Sequence, residues 1–124
     1  MATVELTKDT FDSVVTDNGT VIVDFWAPWC GPCKAFAPAF ERASDNHADV
    51  VFGKVNTDDE GELAQHFGIR SIPTLMVFRD QIMVFQQAGA LPPQALEEVL
   101  RKCKALDMDE VRREVAARDE ANPS

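Results

Sequence analysis

The order of hydrophobic and polar positions along the chain predicts alternating strands and helices. Apolar runs bounded by turn residues predict five strands, which cover residues 3–6, 21–26, 50–55, 74–79 and 82–85. Apolar residues spaced three and four positions apart predict helices between the first four strands and after the fifth. This order predicts an α/β sandwich around a mixed sheet whose last two strands form a hairpin.

Two helices can be placed more closely. The longest is predicted from about residue 31 to 47, and the first is predicted to be capped by Thr7 and to run through Phe11 to Val15. The buried face of the long helix would carry Cys33, Phe36, Ala37, Phe40 and Ser44.

Composition and charge narrow the possible partners. The chain has 124 residues, 45% hydrophobic and 27% charged, as expected for one globular domain with a real core. Its net charge of −9 would repel phosphates, so we expect no nucleic-acid partner. No apolar run approaches the ~20 residues of a membrane span, and residues 1–5 lack the features of a signal peptide. We therefore expect a cytoplasmic protein without a membrane partner.

The chemistry is concentrated where the second predicted strand meets the long helix. Cys30 and Cys33 lie three residues apart at the start of that helix, so they share one face of its first turn. The backbone N–H groups of this turn lack intrahelical partners, and the helix dipole adds partial positive charge. Both effects favour a thiolate, so we expect a lowered pKa for Cys30, the sulfur expected to be exposed. Pro32 costs the helix little there and stiffens the loop. The pair is suited to a reversible disulfide.

A carboxylate lies inside the apolar run before the cysteines. Asp24 would be costly there unless it is neutral, hydrated or paired. One interpretation is a buried acid–base group with a raised pKa, and the other is a residue exposed by strand twist. Lys54, in a neighbouring predicted strand, is either its charge partner or a lysine that reaches out to solvent.

The segment from Val23 to Lys34, Val-Asp-Phe-Trp-Ala-Pro-Trp-Cys-Gly-Pro-Cys-Lys, resembles the active-site segment of bacterial cytosolic thioredoxins. The resemblance extends from residue 3 to about 105. It implies the thioredoxin fold, with a central mixed five-stranded sheet flanked by helices on both faces. The first three strands would be parallel and the last two antiparallel.

The resemblance also implies a function. It suggests a protein-disulfide reductase in which Cys30 attacks the substrate disulfide, Cys33 resolves the mixed disulfide and Asp24 accepts the proton of Cys33, with Lys54 as a further candidate site residue. Disulfide-containing proteins would be its substrates, and an NADPH-dependent thioredoxin reductase would recycle it. We expect a monomer with no cofactor of its own. The alternatives are a disulfide oxidase or isomerase and a thioredoxin-fold binding or scaffold module.

Ile72-Pro73 resembles the cis-proline loop of the same family. Lying opposite Cys30, it would present the backbone of Ile72 to an extended substrate. The alternative is an ordinary trans proline that opens a strand. Trp26 is expected to pack beneath the site. The predicted substrate-binding surface consists of Trp29, Gly31, Pro32, Ile72, Pro73, Gly89 and Ala90.

The remaining candidate ligands have simpler explanations. His47 and His66 fall near predicted helix C-termini, where a positive group suits the dipole, and neither has zinc-ligand spacing from the cysteines. We expect no metal site. Cys103 falls on the buried stripe of its helix and is expected to be a core residue.

Two features depart from the family pattern. Asp80-Gln81 stands at the hairpin turn where Asn-Gly or a similar pair is usual, so an unfavourable backbone or another turn type is expected.

The second feature is a C-terminal extension, residues 107–124, beyond a domain of residues 1–106. Asp107 and Glu110 have capping-box spacing, which predicts a short helix. Its apolar face, with Met108, could pack on the body or meet a partner, or the helix could fray, and residues 120–124 are expected to be disordered.

Overall fold

The computed structural model describes residues 2–121, which form five strands and five helices. The strands are β1 (Thr3–Glu5), β2 (Thr20–Trp26), β3 (Val51–Asn56), β4 (Thr74–Arg79) and β5 (Ile82–Ala88). The helices are α1 (Phe11–Asp17), α2 (Gly31–Asn46), α3 (Gly61–His66), α4 (Pro93–Lys104) and α5 (Met108–Ala121). The predicted order of elements is confirmed, and α5 follows it.

The strands form one mixed sheet in the order β1-β3-β2-β4-β5. Strands β1, β3 and β2 are parallel, whereas β4 is antiparallel to both β2 and β5. The α/β class and the predicted strand directions are therefore confirmed. The central position of β2 explains its nearly continuous apolar sequence, because both of its faces are covered.

The side chains of β2 alternate between two hydrophobic cores. Ile22 belongs to the core that α2 and α4 cover. Val21, Val23 and Phe25 belong to the opposite core, against α1 and α3. Since side chains alternate along a strand, Asp24 lies on the face of Ile22, beneath α2. The sheet is thus flanked by helices on both faces, as predicted.

The start of α1 differs from the prediction. The helix begins at Phe11, and Thr10 rather than Thr7 precedes it. Thr7 instead uses its hydroxyl oxygen to accept the Asp9 N–H at 3.3 Å. The Lys8 N–H donates to the Glu60 side chain at 2.8 Å, a bond to a residue far along the chain. The Thr7 hydroxyl thus caps the turn of residues 8–10 that precedes α1, and the prediction that Thr7 caps α1 itself was wrong. On α2, Ala37 is only half-buried, and Ala43 is buried with Cys33, Phe36, Phe40 and Ser44.

The β4–β5 turn has the unfavourable backbone that its sequence predicts. Asp80 and Gln81 both take left-handed conformations, with φ of 50° and 71°. Two such residues match a type I′ turn, which suits the twist of a hairpin. The turn is held from two sides, because the Asp80 N–H donates to the Gly19 carbonyl at 2.9 Å and the Asp80 carboxylate pairs with Arg112 at 3.1 Å.

Helix α5 lies against the body of the protein. Asp107 caps it, since its carboxylate accepts the N–H groups of Asp109 and Glu110 at 3.0 and 3.2 Å. Met108 is buried, while Val111 and Val115 are half-buried on the same face. This favours packing on the body over a frayed helix. The helix continues to Ala121, so residues 120–121 are helical rather than disordered, and the disorder predicted for residues 122–124 lies outside the described residues. None of the helices formed by residues 2–121 has both the length and the apolar character needed to cross a membrane.

We propose that residues 1–106 are a complete folding unit, because the sheet and both of its cores lie within them. Deleting residues 107–124 should lower the free energy of unfolding by roughly 1 to 3 kcal/mol, since the loss is mainly the burial of Met108. The exposed Arg112–Asp80 pair should add little. Denaturant melts would measure the change. Full-length Met108→Ala should show much of the same loss and Arg113→Ala almost none, whereas loss of cooperative unfolding in the truncated protein would contradict the boundary.

Candidate active site

The two predicted site cysteines meet where β2 leads into α2. Cys30 occupies the N-cap position of α2, and Cys33 lies in the first turn. They are joined in a disulfide, with their Cα atoms 5.2 Å apart, so the structure is the oxidised form. Ala27, Trp26 and Ile72 pack around them. Trp26 is therefore placed beneath the site, as predicted.

The helix terminus is directed at the sulfur of Cys30. The backbone N–H of Cys33 donates to the Cys30 Sγ at 3.2 Å. This N–H has no partner within the helix, and the helix dipole adds positive potential at the same place. Negative charge on Cys30 is therefore stabilised when the disulfide opens.

The sulfurs are less accessible than the sequence suggested. Cys30 is only 5% exposed and Cys33 only 2%. The expectation that Cys30 is an exposed sulfur is thus wrong for the oxidised form, because Cys30 is buried in a small cluster with Ala27 and Ile72. A substrate must approach through the surface that surrounds Cys30.

The Ile72–Pro73 loop lies beside Cys30. Its peptide bond is cis, and the Cys30 Sγ is 3.8 Å from the Ile72 carbonyl oxygen. The Pro73 carbonyl accepts the Gly89 N–H at 2.7 Å, which brings Gly89 to the same loop. Three of the predicted substrate-binding residues are thus in contact along one edge of the site.

The other predicted binding residues differ in exposure. Trp29 is 68% exposed, and Gly31, Pro32 and Ala90 are exposed as well. Ile72 and Gly89 are half-buried, whereas Pro73 is buried. Pro73 can therefore shape the loop but offers little side-chain surface.

A groove of about 190 Å³ runs beside this surface, between Trp29, Ile69 and Ile72. The Trp29 indole N–H donates to the Asp58 carboxylate at 3.1 Å, which orients the exposed ring along the groove. Asp58 was not predicted as a site residue. It is 29 positions from Trp29, so no local pattern pointed to this bond.

Asp24 is fully buried in the middle of β2, which excludes exposure by strand twist. It lies between Leu75 of β4 and Lys54 of β3 in the sheet register. Neither of its carboxylate oxygens has a hydrogen-bond partner within the part of the chain that the structure describes. Burial raises the pKa of Asp24 from 3.8 to about 7, against the opposing effect of the Lys54 charge, while Glu5 raises it slightly further.

Lys54 does not form a direct ion pair with Asp24. Its ammonium nitrogen lies 4.6 Å from the centre of the Trp26 ring, a cation–π arrangement. The indole N–H of Trp26 is buried and has no hydrogen-bond partner among residues 2–121. Lys54 thus acts on Asp24 as a nearby charge while its ammonium lies against the Trp26 ring.

The comparisons with known proteins agree with this geometry. The family model described as Thioredoxin matches residues 2–102. The chain is 59% identical over 115 residues to putative thioredoxin 2 of Streptomyces coelicolor, covering 93% of this chain and 86% of that protein. It is 42% identical over 103 residues to the thioredoxin of Bacillus subtilis, covering 82% of this chain and 98% of that one.

The chain belongs to the thioredoxin family. The solved structure of Plasmodium falciparum thioredoxin superposes on it with a TM-score of 0.75 at 37% identity, over 81% of this chain and 97% of that one. The protein is therefore a thiol–disulfide oxidoreductase that reduces protein disulfides, and Cys30 and Cys33 are its redox-active pair.

The two histidines and Cys103 have structural contacts away from the cysteine pair. His47 Nε2 lies 2.6 Å from Glu97 and its Nδ1 lies 2.9 Å from the Lys104 ammonium, so it links the end of α2 to α4. His66 packs edge-on against Phe67. Cys103 of α4 is buried in the core that α2 and α4 cover, as predicted, and burial raises the pKa of its thiol. Within residues 2–121, no group of three or more histidine, cysteine or acidic side chains is placed to hold a metal.

Replacing Asp24 should separate stability from activity. The pKa of Asp24 is raised on folding, so its stability contribution is complete below the unfolded pKa of 3.8 and is lost as the pH rises through about 7. Between these two pH values, keeping the ionised Asp24 carboxylate buried comes to lower the free energy of unfolding by roughly 4 kcal/mol. Asp24→Asn should therefore be more stable than the native protein at pH 8, by up to this amount, and about equal near pH 4.

Denaturant melts from pH 4 to 8 measure this difference. Asp17→Asn, which removes an exposed carboxylate, should show almost no such pH dependence. The same Asp24→Asn variant should reduce disulfides more slowly if Asp24 accepts a proton. An Asp24→Asn variant that is destabilised at pH 8 would contradict the assignment of a buried carboxylate with a raised pKa.

Proposed function

We propose that this thioredoxin works in the cytoplasm as a reductant of protein disulfides and is itself reduced by an NADPH-dependent thioredoxin reductase. One observation supports Cys30 as the attacking sulfur above all. The Cys33 N–H and the N-terminus of α2 stabilise negative charge on Cys30, and the thiolate is the form that attacks a disulfide. The similarity to bacterial thioredoxins supports the reducing direction.

The reaction proceeds in two exchanges. The Cys30 thiolate attacks one sulfur of the substrate disulfide, forms a mixed disulfide and releases the other substrate sulfur as a thiolate. Cys33 then gives its proton to Asp24 and attacks the Cys30 Sγ, which breaks the mixed disulfide and releases the second substrate thiolate. Two electrons pass from the cysteine pair to the substrate. The reductase returns two electrons from NADPH, so the chain needs no cofactor of its own.

Substrate binding uses the surface around Cys30. An extended substrate segment lies across the Ile72–Pro73 loop and pairs with the backbone of Ile72, in the manner of an added strand. Trp29, oriented by Asp58, and the exposed backbone at Gly31 and Pro32 border the path. Gly89 and Ala90 border the opposite side of the loop.

The net charge and the extent of the sheet bear on the remaining partners. A charge of −9 disfavours nucleic acid as a partner. At one end of the sheet the edge strand β1 has only 3 residues, so it offers few backbone groups for pairing with a second copy of the chain. We propose that the protein acts as a monomer.

Trapping of mixed disulfides tests the order of attack. Cys33→Ser should accumulate mixed disulfides with cellular proteins, because the resolving thiol is absent. The amount of trapped protein should exceed that of Cys30→Ser by roughly tenfold or more. Non-reducing gels of proteins captured on each immobilised variant would show the difference. The double variant is the background control. Equal trapping by the two single variants would refute the assigned roles.

A coupled assay tests the electron source. With a bacterial thioredoxin reductase, NADPH and a disulfide-containing protein, the chain should support steady consumption of NADPH. Either single cysteine variant should reduce the rate to the background, because the dithiol cannot form. No turnover with NADPH, together with rapid oxidation of a reduced unfolded protein, would instead support the oxidase alternative.

A further inference from the structure

A row of three charged residues crosses the sheet beneath α2. Glu5 of β1 is in register with Lys54 of β3, and Lys54 is in register with Asp24 of β2. These strands are parallel, and side chains at the same register of neighbouring parallel strands share a face. The lysine is thus flanked by a carboxylate on either side, about 5 Å away in strand spacing.

The two carboxylates have very different surroundings. Asp24 is fully buried in the central strand, whereas Glu5 is exposed on the edge strand. Glu5 and Trp26 line one recess of about 300 Å³, which opens beside β1. The ammonium of Lys54 lies over the Trp26 ring. The cation therefore lies against the ring and forms no direct ion pair with Asp24.

We propose that Glu5 is a positioning residue of the thiol–disulfide exchange, which acts by attracting the Lys54 ammonium toward the Trp26 ring and away from Asp24. Trp26 provides the surface on which the cation rests, and Glu5 provides the opposing negative charge. The buried carboxylate is then left with only part of the compensation that Lys54 could supply.

The charges around Asp24 define what each group can contribute. The Lys54 charge lowers the pKa of Asp24 and the Glu5 charge raises it by direct repulsion, so displacement of Lys54 by Glu5 would raise it further. The facing residue of β4 is Leu75, which carries no charge. On the buried face of α2 the titratable group is Cys33, which is held in the disulfide. Asp59 and Glu60 line the same recess as Glu5 but lie outside the register of the three charges.

The consequence for the reaction rests on the proposed role of Asp24 as the group that accepts the proton of Cys33. An acid–base group is most effective when its pKa lies near the working pH. By holding Lys54 away, Glu5 keeps the pKa of Asp24 closer to neutral pH. Removing Glu5 should move the protonation of Asp24 to lower pH.

Titration of the Asp24 side-chain carboxyl by carbon-13 NMR tests the coupling directly. The oxidised protein should be used, because its cysteine pair does not titrate. Glu5→Gln keeps the size of the exposed side chain and should lower the pKa of Asp24 by about one unit. Direct repulsion between charges some 10 Å apart accounts for only about 0.3 of a unit, and movement of the Lys54 ammonium toward Asp24 accounts for the rest. Glu5→Asp, which keeps the charge, should retain most of the native value.

Two further variants distinguish competition for Lys54 from a general charge effect. Asp59→Asn removes the same charge from the same recess and should shift the pKa of Asp24 much less. In a Lys54→Met background the effect of Glu5→Gln should fall to less than half, because no cation remains to be attracted. An unchanged pKa in Glu5→Gln, an equal shift in Asp59→Asn or an undiminished shift in the Lys54→Met background would each overturn the proposal.

Single-turnover reduction rates across pH connect the coupling to function. If Asp24 accepts the proton, Glu5→Gln should move the lower inflection of the rate profile by the same amount as the NMR titration. A shifted titration with an unmoved profile would refute the role of Asp24 in the reaction, and with it the role of Glu5 there, while leaving the coupling of the three charges established. The two failures are thus distinguishable.

Discussion

The register of β2 between β3 and β4 is the constraint on which the rest of the structure depends. It directs Val21, Val23 and Phe25 into one core and Ile22 into the other, so both layers of helices are anchored to a single strand. The same alternation forces Asp24 beneath α2, on the face where Cys33 is buried. At its end, β2 delivers Cys30 to the N-terminus of α2. A slip of one residue would reverse every one of these placements.

At Asp24, the requirements of folding conflict with the proposed role in proton transfer. A carboxylate buried without a hydrogen-bond partner among the described residues is unfavourable for folding, and its pKa rises to about 7 for that reason. The same rise brings Asp24 into the range where it can exchange a proton near neutral pH. The large cores on both sides of the sheet offset the cost. The charges of Lys54 and Glu5 then change the pKa of Asp24, which burial has already raised.

The site joins segments that are far apart in the chain. The α2 N-terminus supplies the sulfurs, the Ile72–Pro73 loop supplies the backbone beside Cys30, and Asp58 orients Trp29. Both cysteines are buried in the oxidised form, and the surface around them is the one that we propose binds substrates. Helix α5 packs elsewhere and contacts the β4–β5 turn through Arg112 and Asp80, away from the site.

The amino-acid sequence by itself determined the features that depend on neighbouring residues. The strand and helix order, the helix start at the cysteine pair, the unusual turn at Asp80-Gln81 and the Asp107 cap all follow from local patterns and backbone preferences. Together with the family resemblance, they led to the fold and the redox pair. These interactions are short in range, so a single stretch of chain contains all the information that they need.

Only the tertiary structure decided what depends on distant contacts. The sequence could not choose between the two interpretations of Lys54, because its position depends on Trp26 in another strand. It missed the Asp58–Trp29 bond and the row formed by Glu5, Lys54 and Asp24, and it misplaced the cap of α1, where Glu60 binds the preceding loop. Sheet register and side-chain contacts set these features, and both arise only when the strands and loops are packed together.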